Sequence, residues 1–108
     1  MDTSSIPGPA IVHDAAAKRF WTRVDGHEAY ATYTLHYGGL DIRHTRVPPA
    51  IGGRDIAAAL VKAAYDYARA QGMKPLATCS YAAVWLRRHP DYHGAASPDY
   101  AGPDSCAL

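Results

Sequence analysis

The chain lacks long hydrophobic runs, and it lacks an excess of charge of either sign. None of its apolar stretches approaches the ~18 residues that a membrane-spanning helix needs. Its first residues, MDTSSIPGPAIV, contain no basic segment followed by an apolar one. With 11 basic and 10 acidic residues the net charge is +1, so no basic surface indicates nucleic acid. We therefore expect a cytoplasmic protein without a membrane or nucleic-acid partner.

Cysteine is scarce as well. Cys79 and Cys106 are the only two, too few for the disulfide framework of a small secreted domain, and we expect both thiols to be reduced. A metal site is not expected either: His89 and His93 are four residues apart, but Pro90 interrupts the helix between them. The 108 residues, 48% of them hydrophobic and 19% charged, are typical of one soluble globular domain.

What is present is a regular alternation of strand and helix patterns. The predicted strands are 19–24, 28–37, 40–47 and 73–78, and the predicted helices are 56–71 and 82–89. Asp25-Gly26 indicates a hairpin between the first two strands. The order β-β-β-α-β-α is that of an α/β (α+β) fold, with the strands on either side of the long helix parallel. We assign it to residues 10–93, flanked by flexible segments at 1–9 and 94–108, and expect removal of everything after Gly94 to leave stability nearly unchanged.

Two features of the third strand and the turn after it suggest a site. Strand alternation places Leu40, Ile42 and His44 on one face, so His44 is predicted to point toward the core or a cleft. The turn VPPAIGGRD then leads into the long helix. Backbone N–H groups and the positive end of the helix dipole at such a turn suit a phosphate or pyrophosphate. The alternative is a scaffold turn that needs glycine for backbone reasons alone.

From about Phe20 to Tyr92 the sequence resembles the small, shortened GNAT-type N-acetyltransferases. The residues that carry the resemblance are Asp25-Gly26, Tyr33, His44-Thr45, Val47-Pro48, Gly53-Arg54-Asp55-Ile56-Ala57, Leu60, Cys79-Ser80-Tyr81 and Arg87-Arg88-His89-Pro90-Asp91-Tyr92. The resemblance implies a GNAT-like mixed, mostly antiparallel sheet splayed around acetyl-CoA. It also implies transfer of an acetyl group from acetyl-CoA to an amine, on a small molecule or a protein.

The resemblance further implies a coenzyme site at the turn. The implied coenzyme-binding residues are Val47, Gly52, Gly53, Arg54, Asp55, Ile56 and Ala57. Against the family pattern [QR]xxGx[GA], only Gly53 matches, because Ala50 stands at the first position and Asp55 at the last. A carboxylate beside a pyrophosphate is repulsive. The alternative function is therefore a non-catalytic acyl-CoA-binding or interaction module with a degenerate loop.

Cys79 and His44 are the catalytic pair that the resemblance implies. Acyl transfer from a thioester needs a base for the amine or a thiolate that takes the acyl group first, and a Cys–His pair can serve either route. The alternatives are structural roles: Cys79 as a buried apolar residue and His44 as a hydrogen-bonded strand residue. Arg87 and Arg88 are expected on a solvated helix face, although either could meet the 3′-phosphate of the ligand.

Overall fold

A single six-stranded sheet with two helices forms the fold in the computed structural model, which describes residues 10–52, 55–98 and 100. The strands are β1 Val12–Asp14, β2 Arg19–Val24, β3 His27–His36, β4 Gly39–Arg46, β5 Lys74–Ala77 and β6 Ala95–Ala96; the helices are α1 Ile56–Ala70 and α2 Ser80–Arg88. Spatial order follows chain order, antiparallel from β1 to β4 and parallel from β4 to β6. The predicted mixed, mostly antiparallel sheet and its parallel pair around α1 are confirmed.

The two edge strands were not predicted. β1 has three residues and β6 has two, which is too short for a period of two to be recognised. β1 is held by His13, whose ring stacks on Phe20 at a centroid distance of 4.1 Å and meets Tyr67 edge-on at 4.4 Å. Burial lowers the pKa of His13, although Asp14 opposes that shift. Aromatic contacts of His13 with β2 and α1 therefore add to the pairing of β1 with β2 in holding this edge.

The sheet continues past the boundary that the sequence predicted at residue 93. Ala95 and Ala96 pair with Leu76 and Ala77, and the Ser97 N–H donates to the Ala77 carbonyl at 2.8 Å. Residues 95–97 therefore pair with the sheet, and the small effect on stability of removing everything after Gly94 stays a prediction. Residues 1–9 and 101–108, which include most of the two predicted flexible segments, lie outside the described residues.

Helix α1 covers one face of the sheet and brings its N-terminus to the edge where the site lies. Its fully buried side is formed by Ile56, Leu60, Val61, Ala64, Tyr65 and Ala68. On the exposed side the Lys62 ammonium donates to Asp66 at 2.7 Å. Because α1 follows β4 and α2 follows β5, and these strands are parallel, the N-termini of both helices lie at the same edge of the sheet.

The close approach of β4 to β5 generates a prediction about stability. A Cβ atom on Gly39 would lie 2.3 Å from the Lys74 carbonyl oxygen, which is backbone and cannot move aside. We expect Gly39→Ala to lower the free energy of unfolding by about 2 kcal/mol or more, a fall in melting temperature of roughly 8 °C or more. Gly52→Ala is the matched control, since φ is −67° there and the nearest atom would be 3.5 Å away. Equal melting temperatures for the two variants would contradict the prediction.

Candidate functional site

The candidate site begins where β4 and β5 separate. Their parallel pairing ends at Ile42 and Ala77. Beyond that point the Ile42 carbonyl accepts the N–H groups of both Thr78 and Cys79, each at 3.0 Å. β4 runs on to Arg46, whereas the other chain turns into α2. The result is a gap between a continuing strand and a helix N-terminus, at the edge that also holds the start of α1.

A β-bulge in β4 sets which side chains face this gap. Thr32 pairs with His44 while Tyr33 pairs with Ile42, so Arg43 is the extra residue. A bulge of one residue reverses the alternation of side chains beyond it. Thr45 is therefore fully buried, and His44 is exposed on the opposite face. The prediction that His44 shares the face of Ile42 is wrong, because strict alternation does not hold across the bulge.

Cys79 lies at the gap, but with Thr45 as its neighbour. Its side chain is fully buried and its Sγ is 3.3 Å from the Thr45 hydroxyl. Cys79 is disulfide-bonded, so the expectation of a reduced thiol is wrong for this residue. Cys106, the other cysteine of the sequence, lies outside the described residues. The sheet thus separates the predicted partners, with Cys79 on the face of Thr45 and His44 on the other.

A buried carboxylate ties the bulge to the end of β5. Asp41 is fully buried, and its Oδ2 accepts hydrogen bonds from His36 Nε2 at 2.7 Å and from the Arg43 guanidinium at 3.1 Å. The Thr78 hydroxyl lies within 3.0 Å of both carboxylate oxygens. A buried charge is tolerated only when it is paired and hydrogen-bonded in this way. Asp41 therefore holds the bulge residue against the chain just before Cys79.

The turn between β4 and α1 lines a cavity. Pro49–Ile51 form one 3₁₀ turn, and the side chain of Ile51 anchors it in the core. A cavity of about 220 Å³ opens beside it, lined by Val47, Gly52, Asp55, Ile56, Ala57 and Tyr81. Five of the seven predicted coenzyme-binding residues thus share one cavity. The other two, Gly53 and Arg54, lie outside the described residues.

Asp55 stands at the mouth of this cavity as the N-cap of α1. Its backbone is left-handed, with φ 58° and ψ 24°, and its side chain makes no capping hydrogen bond. Glycine is favoured in that conformation, which gives a physical reason for the small residue expected here. The first-turn N–H groups of α1 have no carbonyl partner within the helix and carry its positive dipole. The carboxylate therefore sits beside groups that suit an anion.

Tyr81 joins this cavity to a larger one. A groove of about 470 Å³ between α1 and α2 is lined by Asp55, Ala58, Ala59, Lys62, Tyr81, Val84, Trp85, Arg88 and His89. Burial raises the pKa of the Tyr81 hydroxyl, the Asp55 carboxylate raises it further, and Arg88 opposes both. The hydroxyl therefore stays protonated between a negative and a positive side chain. Tyr81 is partly buried and packs against the core while lining both cavities.

Neither a metal centre nor a membrane span is found in the described part of the chain. No cluster of three or more His, Cys, Asp or Glu side chains there could hold a metal ion. Its helices are too short and too polar to cross a bilayer. The ring of His89 is instead stacked on Trp85 at 3.8 Å, and its Nδ1 donates to the Trp85 carbonyl at 2.8 Å.

A family profile described as GCN5-related N-acetyl-transferase matches residues 19–95. The chain belongs to this family. The match runs from the start of β2 to the first residue of β6, and so includes the β4–β5 gap, both helices and the cavities. The family resemblance seen in the sequence is confirmed.

Relatives and a solved structure agree with this membership. The chain is 36% identical over 87 residues to Protein NATD1 of Mus musculus, covering 77% of this chain and 79% of the relative. It is 34% identical over 83 residues to Protein NATD1 of Homo sapiens, covering 74% of each. The NMR solution structure of a GCN5-like protein from Staphylococcus aureus superposes with a TM-score of 0.63 at 25% identity, covering 85% of this chain and 91% of that one. Members of the GNAT family use acetyl-CoA as the acetyl donor.

Proposed function

We propose that this chain is an acetyl-CoA-dependent N-acetyltransferase whose acceptor is an amine on a small molecule or a protein. The observation that carries the proposal is the cavity at the start of α1. It gathers Val47, Gly52, Asp55, Ile56 and Ala57 around the first-turn N–H groups of α1, beside the gap between β4 and β5. A pyrophosphate at those N–H groups would direct the rest of the coenzyme toward the gap.

The gap suits the amide-rich arm of coenzyme A. The parallel pairing of β4 with β5 ends at Ile42, and the two chains diverge beyond that residue. An extended chain containing amides can enter such a gap along a strand, in the manner of an added strand. The thioester would then lie near the bulge, where the amine nitrogen attacks the carbonyl carbon. The carbon–sulfur bond breaks, coenzyme A leaves as a thiolate, and the proton lost by the nitrogen converts that thiolate to the thiol.

A non-catalytic acyl-CoA-binding module is the second candidate, and two observations favour it. The Asp55 carboxylate lies at the mouth of the pyrophosphate cavity, and Cys79 is buried and disulfide-bonded. The Asp55 carboxylate would weaken coenzyme binding, and the disulfide would leave Cys79 without the free thiol that a nucleophile needs. Such a module would bind acetyl-CoA without transferring its acetyl group.

Binding and turnover measured together discriminate the two functions. We expect calorimetry to detect acetyl-CoA binding, and a thiol-release assay to show coenzyme A liberated with at least one amine of a panel. Ala57→Leu, which narrows the cavity, should weaken binding about tenfold or more by obstructing the ligand. Ala70→Leu at the exposed end of α1 is the matched control. Binding without release on any amine would favour the module, and no binding at all would refute both functions.

Asp55 should limit the affinity for acetyl-CoA. Asp55→Asn removes the charge and keeps a side chain that tolerates the left-handed backbone, whereas Asp55→Gly also frees the backbone. By Coulomb repulsion at an exposed site we expect both variants to bind acetyl-CoA about tenfold more tightly in calorimetry at low salt. Tighter binding by the Asp55→Gly variant alone would show that the left-handed backbone, and not the charge, limits the affinity. Unchanged affinity in both variants would show that the ligand does not approach this turn.

Acetylation of the chain in the absence of an amine tests whether Cys79 acts as a nucleophile. Once dithiothreitol has reduced the disulfide, the Cys79 thiolate, at the N-cap of α2, is favoured by the helix dipole. It can attack the thioester carbonyl and release coenzyme A as a thiolate. Incubation of the reduced chain with acetyl-CoA alone should then leave an acetyl group on Cys79, located by mass spectrometry, and the unreduced chain should carry none. An unacetylated Cys79 in the reduced chain would exclude the covalent route.

His44→Ala should have a small effect on turnover. Its imidazole is exposed on the face opposite Thr45, so we expect a loss of at most a few fold, against on the order of a hundredfold for a general base. Exposed His27→Ala is the control for removal of a histidine from the sheet. A hundredfold loss in the His44 variant alone would restore His44 as the base.

A further inference from the structure

The disulfide of Cys79 lies where β4 and β5 separate. The Cys79 side chain is fully buried, and its Sγ is 3.3 Å from the hydroxyl oxygen of Thr45. Cys79 follows β5 and Thr45 belongs to β4, so this sulfur atom spans the space between the two diverging chains. The second sulfur of a disulfide lies about 2 Å from the first. The bond therefore occupies part of the gap that the amide arm of coenzyme A would enter.

Cys106 is the one other cysteine of the sequence, and it lies outside the described residues. The chain that leads to it passes the end of β5. The Ser97 N–H donates to the carbonyl of Ala77, and Ala77 is two residues from Cys79. The Tyr100 N–H then donates to the Ser97 carbonyl. An extended chain from Tyr100 to Cys106 spans up to about 20 Å, whereas neighbouring strands are about 5 Å apart. Cys106 is therefore within reach of Cys79 in the same chain.

The burial of Cys79 favours a partner in the same chain over one in a second copy. A disulfide holds the two Cα atoms within about 7 Å of each other. The incoming backbone must therefore lie next to Thr45 and the first turn of α2. Residues 95–97 already pair with β5 beside this position. A bond to the same chain continues that path, whereas a second molecule would have to open the edge of the sheet.

The position of Cys79 at the start of α2 suits a thiol that is oxidised and reduced reversibly. Cys79 is the N-cap residue, and its side chain makes no capping hydrogen bond. The first-turn N–H groups and the helix dipole stabilise a thiolate at such a position. A stabilised thiolate is also a good leaving group in thiol–disulfide exchange. The surroundings of Cys79 therefore favour breaking of the bond by an external thiol.

We propose that Cys79 and Cys106 form a reversible disulfide that closes the gap between β4 and β5, so that thiol redox state controls access to the coenzyme site. The control of access rests on the proposed function, whereas the bond itself does not. In the oxidised chain the backbone beside Cys106 is held at the gap, where it obstructs the amide arm of coenzyme A. In the reduced chain the gap is open and the Cys79 thiol is available to the thioester.

Thiol–disulfide exchange with a small disulfide such as oxidised glutathione supplies the oxidant. Because Cys79 is buried, the Cys106 thiolate attacks the small disulfide and releases one glutathione thiolate. The Cys79 thiolate then attacks the Cys106 sulfur of the mixed disulfide and releases the second glutathione. The two cysteines are oxidised, the glutathione disulfide is reduced, and the protons of the two cysteine thiols pass to the two glutathione thiolates. Dithiothreitol reverses the exchange by the same steps.

Mass spectrometry tests the bond without any coenzyme. After equilibration with oxidised glutathione, peptide mapping without reduction should find Cys79 and Cys106 in one cross-linked pair from a monomeric chain. Dithiothreitol should remove the pair and expose two thiols to titration. Cys106→Ser should remain monomeric and show no cross-linked pair in either buffer. Absence of the pair from the oxidised monomer, or a disulfide that joins two chains, would overturn the proposal.

Calorimetry with acetyl-CoA tests the control of access. We expect the reduced chain to bind acetyl-CoA about tenfold or more tightly than the oxidised chain, because the obstructing segment is released. Cys106→Ser is the matched variant, since it keeps Cys79 and cannot form the bond. Its affinity should equal that of the reduced chain, both with dithiothreitol and after equilibration with oxidised glutathione followed by removal of the glutathione.

The two measurements separate this inference from the proposed function. Equal affinity of the oxidised and reduced chains, with the Cys79–Cys106 pair mapped, overturns the control of access while coenzyme binding stands. The same loss of affinity on oxidation in the Cys106→Ser variant also overturns it, because that variant lacks the bond. Failure of acetyl-CoA to bind the reduced chain overturns the proposed function and the control of access together, and peptide mapping still decides whether the bond forms.

Discussion

The extra residue in β4 is the constraint on which the rest of the site depends. Arg43 is the extra residue in the register of β4 against β3, so the side-chain alternation of β4 reverses between Ile42 and Thr45. The same residue reaches the buried Asp41 carboxylate and the Thr78 hydroxyl at 3.1 Å. This cross-link holds the chain before α2 against β4 at the point where the two diverge.

The edge of the sheet at which β4 and β5 separate also holds the N-termini of both helices. α1 begins at Ile56 and α2 at Ser80, and neither first turn receives a side-chain cap at its start. Uncapped N–H groups at two helices converging on one gap make that edge electrically positive. Asp55 reduces this positive potential from a left-handed backbone position. Its carboxylate is therefore the feature of the loop most at odds with an anionic ligand.

Sequence reasoning predicted what depends on periodicity and missed what depends on single residues. The long strands and both helices follow from alternation and from the helical repeat of Leu60 and Ala64, so the fold and family were predictable. The bulge at Arg43 has no signature in one sequence, because an arginine among alternating residues is ordinary there. The face of His44 and the contact of Thr45 with Cys79 could therefore not be predicted. Most of the cavity-lining residues at the start of α1 followed from the family pattern, whereas an aromatic ring such as that of Tyr81 suits both a core and a cavity wall and so gives no signal by itself.

The amino-acid composition does not show how charge is distributed within the site. A net charge of +1 indicates no anionic partner, yet Lys62, Arg88 and Asp55 all line one groove. An anion in this groove would be repelled by Asp55 and attracted by Lys62 and Arg88. The opposed effects of Asp55 and Arg88 on the pKa of Tyr81 report the same gradient from within the protein. Because electrostatic interactions weaken with distance and salt, the local arrangement of these side chains, and not the total charge, determines which charged groups the groove attracts.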